Sequence, residues 1–340
     1  MFNSSQKNLR LVLVYPIKLL CLSIQLNLLC LCCYVIMLYR LITRHNTTSN
    51  ALFHKSKKEK YFHRHVNCQN KHLGTSSLVD LDIRENGVIV VSLNRPEARN
   101  ALNTSLAIQL NEVFEGLKDK SIKPKGNSSV KALVLTGHGK AFCAGADLKE
   151  RLGMSEEQWD AQHKIFQKCC RTFQRLPIPL IAAANGHAFG GGLELICLSD
   201  WAYASEKALF GFPEVRLGIF PGLGGTQTLP RLIGINAARR LILTGATFTA
   251  TEGHHLGLFS KLEANGEATL EAAVSDANEI AKNGPLAVKL AKRAIWEGHQ
   301  TSSFDDAWKL SLELYGKAFK SSERVEGINA YNGKRSPKFE

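Results

Sequence analysis

The chain has 340 residues, enough for one or two domains with a large core, and its 44% hydrophobic content is ordinary for a soluble protein. Its formal net charge of +13 invites a nucleic-acid or membrane partner, but the charge is unevenly placed. Residues 1–79 carry eleven Lys/Arg against Glu59 alone, or +10, while residues 80–340 carry 32 basic and 29 acidic side chains, or +3. A nearly neutral body argues against a protein whose main work is gripping phosphate backbones. Five of the nine cysteines (Cys21, Cys30, Cys32, Cys33, Cys68) lie in the basic tail, and none has zinc-ligand or disulfide-framework spacing, so free thiols in a reducing compartment are expected.

The tail admits two readings. Residues 19–39, between Lys18 and Arg40, are free of charge and long enough to span a bilayer, the pattern of a one-pass membrane anchor. Alternatively, Met37 is the true start. The chain from there is basic, contains Ser and Thr, and has no acid before Glu59, which is the composition of a mitochondrial transit peptide. The second reading is preferred, and in either case residues 1–75 are set outside the fold. Asn46-Thr-Thr48 matches a glycosylation pattern, against which the thiol content argues.

From Leu78 the pattern becomes globular. Val79–Ile83 alternates and Val88–Leu93 is a compact apolar run, so a hairpin through Glu85-Asn-Gly87 is predicted. Leu106, Leu110, Val113 and Leu117 recur at helical spacing. Residues 119–130 read as a surface loop and Ala132–Leu135 as a buried strand. Ser155-Glu-Glu157 opens a helix that ends before Pro177. Leu180–Ala184 is a further buried strand, Gly190-Gly-Gly192 opens a helix carrying Glu194, and Asp200–Ala204 reads as a strand. Beyond Gly222 helices dominate: a capping box at Thr249–Glu252, then Ala268–Lys282, Pro285–Glu297 and Phe304–Ala318. The organisation expected is α/β with repeated ββα units over 76–265, followed by a helical region over 266–340.

Two glutamates, Glu194 and Glu214, sit beside glycine clusters at 190–192 and 222–225, with a third glycine-containing loop at 141–149. Glycine lets backbone N–H groups approach a ligand, and paired carboxylates beside such donors suit proton transfer next to a stabilised oxyanion. That is the chemistry of adding water to, or removing a proton beside, an activated carbonyl such as a thioester. Blander roles exist for each part: the glycine triplet also permits tight helix packing, either glutamate alone also serves as a cap or ion-pair acid, and Lys149 is equally a solvated charge. His187 reads as structural. Gly222-Leu-Gly-Gly lacks the Gly-Lys-Ser/Thr of a nucleotide-binding loop.

Ser92–Leu102, Ala141-Phe-Cys-Ala-Gly-Ala-Asp-Leu-Lys149, Asn185–Glu194, Pro213-Glu214 and Pro221–Gln227 together resemble the enoyl-CoA hydratase/isomerase (crotonase) family over about residues 78–340. The resemblance implies a crotonase-like spiral of ββα units with a C-terminal helical region, assembled as a homotrimer or dimer of trimers. It implies an acyl-CoA substrate and no cofactor or metal, coenzyme A being part of the substrate. Carried over by position, the N–H groups of Ala146 and Gly191 form the oxyanion hole, Glu194 is the base-type and Glu214 the acid-type glutamate, and Gly222 helps to position the water. Ala144, Ala146, Asp147, Leu148, Lys149, Gly191 and Lys334 would contact the substrate, Lys334 at the 3′-phosphate. Keeping both acids favours a hydratase over a double-bond isomerase or another CoA lyase. Phe142–Arg151 and the ending Lys334–Lys338 are similar to the methylglutaconyl-CoA hydratase branch, while Phe212-Pro-Glu214 is closer to general enoyl-CoA hydratases. Segment 118–131 stands where relatives that bind AU-rich RNA carry a basic helix, so RNA is an alternative partner, though not the favoured one. The pocket wall is expected from the helix around Met154–Phe173 and from segment 248–262.

Overall fold

The computed structural model describes residues 65–67, 77–124 and 129–339. The uncharged run 19–39 and the Met37 start lie outside them. Among the described residues no helix is long and apolar enough to cross a membrane.

The larger sheet has seven strands in the order β1-β2-β3-β4-β6-β8-β11, and the smaller has four in the order β10-β9-β7-β5. In the larger, β1 (His65–Asn67), β2 (Val79–Ile83) and β3 (Val88–Leu93) are antiparallel neighbours. The strands β4 (Ala132–Gly137), β6 (Leu180–Ala184), β8 (Trp201–Ser205) and β11 (Lys261–Glu263) then continue in parallel. The smaller sheet runs parallel through β5 (Ala141–Cys143), β7 (His187–Phe189) and β9 (Leu209–Gly211), and ends on antiparallel β10 (Thr247–Thr249).

Side chains on the larger sheet alternate between two cores, as the period of two requires. Ile89, Val91, Leu133, Leu135, Ala182 and Ala204 face one core, with α1 (Thr104–Lys118) and α3 (Glu156–Gln174). Val88, Val90, Val134, Ile181 and Tyr203 face the other, closed by Ala273, Val274, Ala277 and Ala281 of α8 (Gly266–Ala281). Burial on both faces is why β3, β4 and β6 read as unbroken apolar runs rather than as alternating ones. Between these elements lie α2 (Leu148–Arg151), α4 (Gly191–Leu198), α5 (Gly225–Ile233), α6 (Ile235–Thr244) and α7 (Ala250–His255). The chain ends in α9 (Pro285–Gly298), α10 (Phe304–Phe319) and α11 (Ser322–Asn332).

Several boundaries differ from the sequence reading. Residues 65–67, assigned to the segment outside the fold, pair with β2, whose outer edge offers unpaired backbone groups. The boundary at 265/266 does not divide the packing, because α8 covers the sheet. At Thr249 only half of the capping box forms: its hydroxyl accepts from Glu252 N at 3.1 Å. Asp200 precedes β8 instead of opening it, its carboxylate accepting from Leu180 N at 2.7 Å and pairing with Lys292.

Candidate active site

The first turn of α4 positions Glu194. Gly190 ahead of it has φ +49° and ψ −124°, which a side chain would strain, and a Cβ there would meet Glu214 Oε1 at 2.8 Å. At Gly192 a Cβ would stand 2.3 Å from Cys143 O. The triplet thus divides its work: Gly190 makes the turn against Glu214, Gly191 presents its N–H, and Gly192 lets the helix lie on β5.

Glu194 is 2% exposed, and its Oε1 accepts from Leu223 N and Gly225 N, each at 2.8 Å. Burial raises its pKa, the Gly225 and Leu223 N–H groups oppose the rise, and nearby Glu214 adds to it; the result is about 7. Glu214 stands on the 3₁₀ turn Pro213–Leu217 that follows β9. Burial raises its pKa too, against a backbone hydrogen bond that lowers it, and Oε2 is a buried oxygen with no hydrogen-bond partner among the described residues.

Both carboxylates line one cleft of about 370 Å³. Of the residues expected at the site, Ala144, Ala146, Leu148, Gly191 and Gly222 line it with them. The parallel bridge from Leu102 to Ala146 uses the Asp147 N–H and the Gly145 carbonyl, which leaves Ala146 N–H without an acceptor among the described residues. Gly191, at the start of α4, has none either. The two loops are adjacent: a Cβ built on Gly145 would lie 3.6 Å from Gly191 N. The dipole of α4 adds to the pull on negative charge.

Three expected contacts do not line the cleft. Asp147 caps α2 through Lys149 N and Glu150 N and pairs with Arg95 at 3.0 Å. Burial pushes its carboxyl up, but the Arg95 hydrogen bond and the cap N–H groups hold it below its ordinary value. Lys149 is exposed beside it, and Lys334 is exposed after α11 with φ +50°. His187 takes the expected structural role, accepting from Leu209 N at 2.9 Å. The wall comes partly from α3, as expected, through Trp159, His163 and Phe166. The other side is Leu217–Phe220, not segment 248–262, which packs Phe248 and Phe259 around Phe210.

Sequence reasoning passed over Arg151 and His163, both in the cleft wall, and the N–H groups of Leu223 and Gly225 that hold Glu194. The apolar surroundings of 217–223 signalled a wall, but only the tertiary path of the turn reveals it. Asn100 is a clamp: it is fully buried, donates to His138 O and Ala141 O, and accepts from Arg95 N.

Over residues 83–340 the chain matches the family described as enoyl-CoA hydratase/isomerase. It is similar to the enoyl-CoA isomerase/hydratase fer4 of Mycosarcoma maydis, 40% identical over 262 residues that cover 74% of this chain and 92% of the relative. It is also similar to the mitochondrial enoyl-CoA hydratase of Pongo abelii, 36% identical over 256 residues covering 75% and 84%. Among solved structures, that of an enoyl-CoA hydratase from Bacillus anthracis matches with a TM-score of 0.72 at 38% identity, covering 77% of this chain and 98% of that one.

Proposed function

The chain belongs to the enoyl-CoA hydratase/isomerase family, with the crotonase α/β fold, and from that premise we propose that it hydrates a 2-enoyl-CoA thioester at the cleft holding Glu194 and Glu214. The observation that carries this reading is the meeting, on one cleft, of two carboxylates with raised pKa and two backbone N–H groups that have no acceptor among the described residues.

The thioester oxygen takes the Ala146 and Gly191 N–H groups as donors, a contact that strengthens as the oxygen gains enolate charge. Glu194, its Oε1 fixed by Leu223 and Gly225, keeps Oε2 for the water and removes its proton as oxygen bonds to the β-carbon. Glu214 returns a proton to the α-carbon, and Gly222 lies where its N–H helps to place the water. Water is thereby added across the double bond with no change of oxidation state, so no redox cofactor is called upon, and the thioester itself supplies the activation that a metal would otherwise give. The protein acts as a homotrimer or dimer of trimers in the mitochondrion, the latter supported by the tail composition and by the name of the Pongo relative. Whether the methylglutaconyl thioester is a substrate turns on the groups that line the acyl wall, Trp159, His163 and Phe166 among them.

The test is turnover of crotonyl-CoA by the purified protein, followed by loss of enoyl-thioester absorbance and by mass of the product. A gain of 18 mass units is expected. Failure to hydrate, with migration of the double bond of a 3-enoyl-CoA instead, would replace this reading with the isomerase one.

A further inference from the structure

Arg151, the last residue of α2, lies in the cleft wall half-buried. Its place is fixed by a chain of hydrogen bonds. Thr104 N, at the start of α1, donates to Glu150 at 2.9 Å, Gln162 Nε2 donates to Glu150 Oε2 at 2.7 Å, and Arg151 Nε donates to Gln162 Oε1 at 2.9 Å. Gln162 is itself buried. The guanidinium carbon stands 4.1 Å from the centre of the Trp159 ring and 5.5 Å from that of Phe166. Nε is therefore satisfied and the plane is held, yet neither terminal nitrogen has an acceptor and no carboxylate lies within 4.0 Å among the described residues. Arg151 is also the one Lys or Arg side chain among the described residues of the cleft lining. Burial first and the Arg151 charge second hold the pKa of its neighbour His163 below the ordinary imidazole value, against Asp160, which raises it.

An apolar acyl chain laid against this wall would strip water from two guanidinium nitrogens and give nothing back. A carboxylate would accept from both in the fork geometry, while Trp159 and Phe166 exclude water around the pair. We propose that Arg151 selects 2-enoyl-CoA substrates whose acyl chain ends in a carboxylate, so that the natural substrate derives from a dicarboxylic acid. This rests on the hydratase reading for the reaction, though not for the binding. It also places the enzyme after a step that introduces a 2,3 double bond into a dicarboxylic monothioester.

The experiment has a catalytic and a binding arm. In the first, kcat/KM is measured for 2,3-dehydroadipyl-CoA and trans-2-hexenoyl-CoA, equal in chain length and different at the far end. The parent enzyme should prefer the dehydroadipyl thioester, and Arg151→Met should lower the ratio of the two values about 10- to 100-fold, the range for a charge-assisted pair. Arg151→Lys should restore part of that ratio. A ratio within about twofold of the parent's would overturn the proposal, as would an equal loss on both substrates, which would mean that Arg151 meets the coenzyme A portion instead. In the second arm, calorimetry compares adipyl-CoA with hexanoyl-CoA, neither of which can be hydrated. Tighter adipyl-CoA binding that Arg151→Met abolishes supports the proposal even if no enoyl thioester turns over. Equal binding of the two by the parent protein sinks it even if crotonyl-CoA is hydrated briskly. A thermal melt of each variant separates loss of recognition from loss of fold.

Discussion

The cleft and the last three helices handle apolar and polar groups in opposite ways. Along α4 every residue from Gly191 to Cys197 is buried, and the Glu194 carboxylate itself is 2% exposed on two backbone donors, while the outer wall of the cleft, at Leu148, Leu217 and Phe220, is open. On α9 and α10, by contrast, Ile295, Trp308 and Tyr315 are open, and Phe304, stacked on Trp308 at 5.9 Å, is 77% exposed. One region spends stability to hold acids out of water; the other leaves aromatic surface uncovered, the mark of a region completed by contact with another surface. The comparison teaches that the groups proposed for the chemistry all lie on one chain, while the C-terminal helices offer the kind of surface that the proposed assembly would cover.

The largest effect that could break this picture lies in the cleft. Glu194→Gln and Glu214→Gln each keep size and hydrogen bonding while ending proton exchange, so each should lower kcat for crotonyl-CoA by roughly 10²–10⁴. The double variant should cost much less than the two losses combined, because both acids serve one water. Near-parental hydration by the Glu194 variant, with none by the Glu214 variant, would point to one-acid chemistry.

The buried carboxylate has a second consequence, for stability. An acid whose folded pKa, about 7, lies above its unfolded value near 4.5 binds more protons in the native state across that interval. Its contribution is fully present below about pH 4.5 and is lost as pH rises through 7, on the order of 3 kcal/mol in all. Urea unfolding of the parent should therefore weaken between pH 5 and pH 8 more than that of Glu194→Gln. Parallel pH profiles for the two proteins would show that Glu194 carries no such penalty.

How much of this was visible beforehand follows element length and chain distance. The five- and six-residue strands β2, β3, β4 and β6 announced themselves by composition, as did the glycine clusters beside both acids. β5, β7, β9 and β10 have three residues each, too few for a period to show, and their partners are distant in the chain. The helix α11 leaves no helical signal in the sequence because its apolar residues form no clear face. At the site, the acids could be picked out because glycine marks them. Arg151 could not, because its meaning comes from Gln162 and Trp159, and only the packing of α2 on α3 brings the three together.

On the assembly side of the comparison, Trp308→Glu places a charge in the exposed aromatic patch of α10, where Trp308 stacks on Phe304 and is more than half exposed. Sedimentation should show the self-association constant weakened by about 30-fold or more, as for loss of a large aromatic anchor. The far-UV circular dichroism should keep the parental helix content. An unchanged oligomer would mean that this face has another purpose.

The smallest expected effect asks whether the C-terminal region also reaches the substrate. Lys334 is exposed, lies outside the cleft lining, and follows α11 in the left-handed conformation that ends the helix. If it meets the 3′-phosphate of coenzyme A, the pair is solvent-screened and worth at most about 1 kcal/mol. Lys334→Ala should then raise KM for crotonyl-CoA about two- to fivefold and leave kcat nearly untouched, since a contact far from the reacting carbons contributes alike to ground and transition states. The parent enzyme should show a similar rise in KM when the thioester lacks the 3′-phosphate, and the variant should not distinguish the two thioesters. Equal KM values for both thioesters in the parent would remove Lys334 from substrate binding and leave the last three helices with assembly alone.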